Sequence, residues 1–293
     1  MQLAIYVKVL KEEYLAPITK LIKAIKKLEV SLIFHEYIHK ELVMRKLLSS
    51  NENVFSHFDS SHQNLPKALI TIGGDGTILD SLTIVKDAEI PVLGINAGRL
   101  GFLAVSSFDT ILLLIKDLQS GNYLVEKRSL LSLSSSRSIF STPFALNDFV
   151  LHKKDSSSMI TVHTFLNGQY LTSYWADGLI IATPTGSTGY SLSCGGPIMF
   201  PKAKTLVITP IAPHNLNMRP VVIPDDQVIT FELEGRSKTF MAALDARSMN
   251  ITTDIQLAIK KADISFHLIR THNHNFLETL RKKMNWGLDT RNN

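Results

Sequence analysis

The sequence predicts an α/β N-terminal domain with a parallel sheet, then an all-β, sandwich-like domain, and a C-terminal helix that packs back on the first. Three observations carry this expectation. Over the first third, short apolar runs alternate with stretches whose apolar residues recur at helical spacing. After about Lys127, strand-like runs follow one another with turn residues between them. The stretch FLETLRKKM (Phe276 to Met284) returns to helical character, with acid early and base late. A chain of 293 residues is long for one core. The expected domains are 1–124, with 268–293 returning to it, and 125–267.

The elements follow in order. Gln2 to Val9 reads as a strand. Leu15, Ile18, Leu21, Ile22, Ile25 and Leu28 make the apolar stripe of a helix, with lysines between them. Val30 to Phe34 fits a buried strand, and residues 36–48 a helix. Polar residues from Ser49 to Asn64 form a loop closed by Pro66. Ala68 to Ile72 and Pro91 to Ile95 are further buried strands. In the second domain the strands are Phe144 to Leu151, Ile160 to Phe165, Leu179 to Ala182, Thr205 to Ile208, Val228 to Leu233 and Ile251 to Ile259. Turns at Asn167-Gly168, Pro224-Asp225-Asp226 and Glu234-Gly235 separate them.

Composition narrows the function classes. Cys194 is the single cysteine, so a disulfide framework is excluded and a cysteine metal cluster has too few ligands. A net charge of +5 suits an anionic small molecule, and no basic run points to nucleic acid. No apolar run approaches the roughly 18 residues of a membrane span. The start lacks a signal-peptide pattern. The expectation is a cytoplasmic protein with neither nucleic acid nor membrane as partner.

The stretch LITIGGDGTILD (Leu69 to Asp80) joins a buried strand to a helix through glycines. Backbone N–H groups at a helix N-terminus suit phosphate oxygens, and glycines let an anion approach. Thr77 is placed to cap the helix. Asp75 is the odd residue, since a carboxylate repels phosphate. It is tolerable if it accepts a proton from an attacking hydroxyl, or helps hold a divalent metal. A tight Asp-Gly turn without chemistry has about equal weight on this stretch alone. A second segment, DGLIIATPTGSTGYSLSCGGPI (Asp177 to Ile198), is crowded with Gly, Thr and Ser after a buried strand. Its hydroxyls offer neutral donors, and Tyr190 can stack on a planar base. This density favours a polar ligand site over a mere connection.

Together GGDGT and the second segment resemble the NAD kinase family. GINAGRLGFL (Gly94 to Leu103), ALNDFVLHK (Ala145 to Lys153), PIAPHNLNMRPVVIP (Pro210 to Pro224) and the final LETLRKKMNWG agree in order and spacing. GGDGT alone is shared with other kinases; the long Thr-Pro-Thr-Gly-Ser-Thr segment is specific. The resemblance implies phosphorylation of the 2′-hydroxyl of the adenosine ribose of NAD, with ATP or polyphosphate as donor. It implies that Asp75 accepts the hydroxyl proton or positions the hydroxyl and its metal. Gly74, Gly76 and Thr77 would face the dinucleotide and the donor phosphates. Phe102 would pack beneath the dinucleotide, and Asn147 and Asp148 would contact its adenosine part. Asp177, Thr185, Thr188, Gly189, Tyr190, Ser191, Leu192 and Ser193 would line the rest, with His214 close by. The β-rich domain would bind dinucleotide and mediate assembly as a homodimer or homotetramer. Mg²⁺ would arrive with ATP, keeping water and phosphate ligands, so no protein metal cage is expected.

Several positions depart from the family pattern. Asp148 stands where Glu is usual, Gly189 where Ala is, and Trp175 where a base is common. DAR (Asp245 to Arg247) replaces Asp-Gly-Gln, and Arg247 adds charge near a ligand edge. Two rivals follow from the same residues. A lipid or sugar kinase would not need the Thr-Pro-Thr-Gly-Ser-Thr segment. A non-catalytic dinucleotide sensor would have no use for Asp75, which is present.

Overall fold

The computed structural model describes residues 1–98, 101–104, 106–108, 110–154, 158–270 and 275–285. The chain divides into two compact units, Met1–Lys127 with His267–Asn293, and Arg128–Phe266. Of the segments matched by motif, Arg99, Leu100, Trp286 and Gly287 lie outside the described residues, as do 271–274 and 288–293 of the expected returning stretch.

The first unit begins with β1 (Gln2–Tyr6), α1 (Glu12–Lys26), β2 (Ser31–His35), α2 (Glu36–Met44), β3 (Val54–Phe55) and β4 (Ala68–Gly73). It continues with α3 (Asp75–Val85), β5 (Val92–Asn96) and α4 (Ile111–Ser120). All its strand pairs in this run are parallel, in the order β5-β4-β1-β2-β3. Parallel strands need crossover helices, which explains the alternation in the sequence. Every residue of β4 is buried, as expected for a central strand covered on both faces. The core joins Leu3, Ile5 and Ile70 from the strands to Ile18, Ile22 and Ile25 of α1 and to Leu114 and Leu118 of α4. The polar stretch after Ser49 was expected to be all loop. It contains β3, because Phe55 stacks on Phe58 at 4.6 Å and is drawn to the sheet edge.

The second unit holds most of β6 (Leu124–Ser135), then β7 (Phe144–Ala145), β8 (Asp148–Lys153), β9 (Ile160–Leu166), β10 (Gln169–Ala176) and β11 (Gly178–Ala182). A single 3-10 turn at Gly186–Thr188 and the short α5 (Tyr190–Ser193) follow. The strands resume with β12 (Thr205–Ile211), β13 (Val221–Pro224), β14 (Ile229–Glu234), β15 (Thr239–Leu244), β16 (Arg247–Thr252) and β17 (Leu257–Arg270). One sheet is antiparallel throughout, in the order β13-β12-β11-β8-β15-β16. A second antiparallel set runs β10-β9-β14-β17. Their inner faces share one core: Phe149, Leu151, Leu179 and Ile181 from the first, Val162, Tyr174, Phe231 and Ile259 from the second. The run Ile251 to Ile259, expected as one strand, is the end of β16 and the start of β17. The backbone turns between them, where Ile255 N–H reaches the Thr252 carbonyl. Phe144 to Leu151 is likewise two strands.

The last residues of β17 return to the first unit, where Leu268 pairs in parallel with Val92 of β5. α6 (Phe276–Met284) follows in that unit, capped by the Asn275 side chain accepting from Leu277 N–H. Among the described residues no helix is long and apolar enough to cross a membrane.

Candidate active site

In the first unit, β4 ends at Gly73 and α3 starts at Asp75, with Gly74 as the helix cap. Thr77, expected to cap the helix, is instead its third residue, and no side chain caps this end. Its N–H bonds the Gly74 carbonyl at 3.0 Å. Thr77 packs at Gly73, where a Cβ would strike its hydroxyl. Cβ atoms at Gly74 and Gly76 would meet nothing within 4 Å. The first N–H groups of a helix precede its i to i−4 ladder and carry the positive end of its dipole, so around Gly74 and Gly76 this end is both open and electropositive.

Asp75 opens α3 with its carboxylate turned to the segment after β5. Oδ2 accepts the Phe102 N–H at 2.7 Å; Oδ1 accepts those of Leu103 and Ala104, each at 3.0 Å. An ionised carboxylate has about four acceptor positions. Three are engaged here, and Oδ2, with a single bond, can take one more donor. The approach requires Gly101, because a Cβ there would land on the Asp75 carboxylate. Phe102 is half-buried, and the Lys283 ammonium of α6 lies 5.9 Å from its ring centroid. On the other side of the same segment, Arg270 donates to the Leu103 carbonyl at 2.7 Å. Sequence reasoning missed Arg270, which is one of several charged residues in the strand Leu257–Arg270 and has no local feature that sets it apart.

In the second unit, Asn147 and Asp148 sit where β7 passes into β8. A second carboxylate clamp holds them: Asp245 accepts the N–H groups of Leu146, Asn147 and Asp148, at 2.9, 2.7 and 3.3 Å. Asp245 adopts φ 51, a left-handed conformation that Asp tolerates better than most residues. The sequence singled out the Asp-Ala-Arg turn but not this use of its acid. Burial is the main cause that pushes Asp245 above the usual carboxylate range. Burial, and then the charge of Asp245, pushes Asp148 up to about 7. Arg247, expected at a ligand edge, is directed elsewhere. Its guanidinium donates to the carbonyls of Thr142, at 2.6 Å, and Phe144, and lies 3.9 Å from Asp245.

The Thr/Ser-rich segment behaves differently from a row of free donors. Thr183 donates to the Leu146 carbonyl at 2.6 Å and accepts the Gly186 N–H at 3.1 Å. Gly186 presses so close that a Cβ would overlap the Asn147 backbone. Thr185 accepts from Arg128 at 3.2 Å, and Thr188 donates to the Thr185 carbonyl at 3.3 Å. Ser191, expected to line the ligand, is fully buried, with its hydroxyl 2.8 Å from that of Thr209. These hydroxyls fix the turn's shape, because a buried turn must satisfy its own polar groups. Tyr190 and Ser193 are exposed and Leu192 half-buried. Gly189 lies beside the pair, with the position of a Cβ 3.4 Å from Asn147 Nδ2 and 4.0 Å from Asp148 Oδ2. Trp175, half-exposed at the end of β10, carries the exposed His214 against its ring, with centroids 4.2 Å apart. Asp177 pairs with Lys153 at 2.6 Å.

Each unit therefore presents a fixed acidic device on a backbone turn, and each corresponds to a family model. Residues 3–123 match the ATP-NAD kinase N-terminal domain, and residues 146–271 the ATP-NAD kinase C-terminal domain. An NAD kinase of Cytophaga hutchinsonii is 45% identical over 284 residues, 96% of this chain and 97% of that protein. An NAD kinase of Flavobacterium psychrophilum is 46% identical over 269 residues, 90% of each chain. In fold, the chain is similar to yeast NADH kinase crystallised with NADH. The TM-score is 0.87 at 22% identity, over 99% of this chain and 89% of that one.

Proposed function

The chain belongs to the NAD kinase family and phosphorylates NAD with ATP, giving NADP and ADP, and we propose that Asp75 takes the proton of the reacting 2′-hydroxyl. It is thus a phosphotransferase with an alcohol group as acceptor. The observation that supports this role is the geometry of the Asp75 carboxylate. Three N–H groups fix it, and Oδ2 retains a position for one more donor.

A ribose hydroxyl is a weak nucleophile. A carboxylate at hydrogen-bond distance orients it and receives its proton as the new P–O bond forms. Phosphoryl transfer otherwise needs positioning and charge stabilisation more than covalent catalysis. At the open helix end, Gly74 and Gly76 bind phosphate oxygens through backbone N–H groups, and Thr77 through its hydroxyl. Phe102 gives an apolar surface to the nucleotide.

In the second unit, Asn147 and Asp148 bind the adenosine part, each with a backbone N–H held by Asp245. Asp177, Thr188, Gly189, Tyr190, Leu192, Ser193, Trp175 and His214 contribute the remaining contacts. Thr185, Ser191 and Arg247 hold these in place through the hydrogen bonds they already make. Among the described residues no three His, Cys, Asp or Glu side chains gather as a metal-ligating set. A divalent ion such as Mg²⁺ would arrive with ATP, keep phosphate and water ligands, and supply charge neutralisation at the donor phosphates. The second unit also exposes Trp175, Phe200, Leu216 and Val222, apolar area suited to self-association as a homodimer or homotetramer. Light scattering on the purified chain tests this.

The reaction itself is tested by a coupled assay. Protein, Mg²⁺, ATP and NAD are incubated, and an NADP-specific dehydrogenase reports the product. NADP formation supports the reading. NAD binding without product returns the dinucleotide-sensor alternative.

A further inference from the structure

We propose that Arg270 is a positioning residue for phosphoryl transfer, acting on Asp75 through the two peptide groups that lie between them. The inference rests on the reading of Asp75 as the proton acceptor. Arg270 ends β17 and is only 3% exposed. Its Nε donates to Glu126 Oε2 at 2.9 Å, its Nη1 to the Leu103 carbonyl at 2.7 Å, and its Nη2 to the Phe102 carbonyl at 3.4 Å.

The Phe102 carbonyl and the Leu103 N–H are opposite ends of one peptide group. The Leu103 carbonyl and the Ala104 N–H are the ends of the next. A trans peptide is planar and directs its C=O and N–H in opposite directions. The described backbone contains no cis peptide bond. Arg270 thus grips both oxygens while Asp75 Oδ1 grips both hydrogens. A cation at the oxygens and an anion at the hydrogens orient and polarise each plane in the same sense. Rotation of either peptide would break a bond at both ends. The rest of the clamp, Phe102 N–H to Oδ2, belongs to the same short segment.

The grip needs a planar fork that reaches three acceptors at once. A lysine ammonium carries the same charge but is a compact point on a flexible stem. Glu126 fixes the fork from the far side, so the chain of control runs Glu126, Arg270, peptide planes, Asp75. Its purpose is positional: a misplacement of about 1 Å in a reacting group can cost about 10²-fold in rate.

The test uses the full chain and four variants: Arg270→Lys, Glu126→Gln, Asp75→Asn and the Asp75→Asn/Arg270→Lys double. Turnover is read with NAD and ATP saturating, alongside KM for each and the melting temperature. Arg270→Lys is expected to lower kcat by roughly 10- to 100-fold with KM for both substrates unchanged. In the double variant, Arg270→Lys is expected to add no further loss to that of Asp75→Asn, because the two act as a unit. A merely structural arginine gives losses that multiply. Unchanged kcat in Arg270→Lys, or multiplied losses, overturns the inference. If Arg270→Lys does not fold, Glu126→Gln carries the test: lowered kcat at constant KM supports the relay, and unchanged kcat overturns it. Asp75→Asn separates the two readings. If it retains turnover, the role of Asp75 falls and the inference with it. If it is inactive while Arg270→Lys is unimpaired, the inference alone falls.

Discussion

Asp245 Oδ1 accepts the backbone N–H of Asn147 at 2.7 Å, across a sequence separation of 98 residues. The carboxylate holds three successive N–H groups this way, which fixes the turn that presents Asn147 and Asp148. Asp245→Asn keeps the shape and tolerates the left-handed backbone, but its amide group sets a donor against donors. A buried unsatisfied donor costs about 1–3 kcal/mol. The expected outcome is a lower melting temperature and weaker NAD binding by calorimetry, with the fold retained by circular dichroism.

Gly101 is the counterpart in the first unit. A Cβ there overlaps the Asp75 carboxylate, so Gly101→Ala must displace either the side chain or the clamp. Because either displacement shifts Asp75 from its clamped position, kcat is expected to fall by about 10²-fold. Dissociation constants for NAD are expected to stay near those of the parent chain. Steady-state kinetics and calorimetry on the same preparation check both halves.

Asp148 makes NAD binding depend on pH. Burial and the neighbouring Asp245 raise its carboxyl to about 7, so the folded chain keeps the proton near neutrality. The ionised form is the better acceptor for ribose hydroxyls. NAD affinity is expected to rise as pH climbs through about 7, and Asp148→Asn to remove that dependence. Calorimetric titrations on either side of neutrality measure it. Stability runs the other way. The unfolded chain releases this proton near the ordinary aspartate value of 3.8 and the folded chain only near 7. The contribution is therefore complete at acid pH and is lost as pH rises between these values. The raised Asp245 acts in the same direction.

Much of this was legible in the sequence. The alternation of apolar runs and helical stripes places β1, β2, β4 and β5 because central parallel strands are apolar on both faces. Strands β10, β13 and β15 escaped because their residues mix Thr, Ser and Ala with aromatics, or run only from Val221 to Pro224. The GGDGT stretch identified Asp75, since a carboxylate among phosphate-binding features demands an explanation. Arg270 and Asp245 were not legible as positioning groups. Their partners lie far away in sequence, and nothing local in FHLIR or ALDAR marks what they reach. The Thr/Ser-rich segment misled in part: a hydroxyl's partner is set by burial, and Ser191 found Thr209 in the interior.

The most direct test of the account is the turnover of Asp75→Asn beside its affinity for NAD. The amide keeps the side chain's size but is no base, so the account predicts kcat lower by roughly 10²- to 10⁴-fold, the range that general-base catalysis contributes. NAD binding is predicted to persist. An Asp75→Asn variant with parental kcat would contradict the central claim, and the proton acceptor would have to be another group.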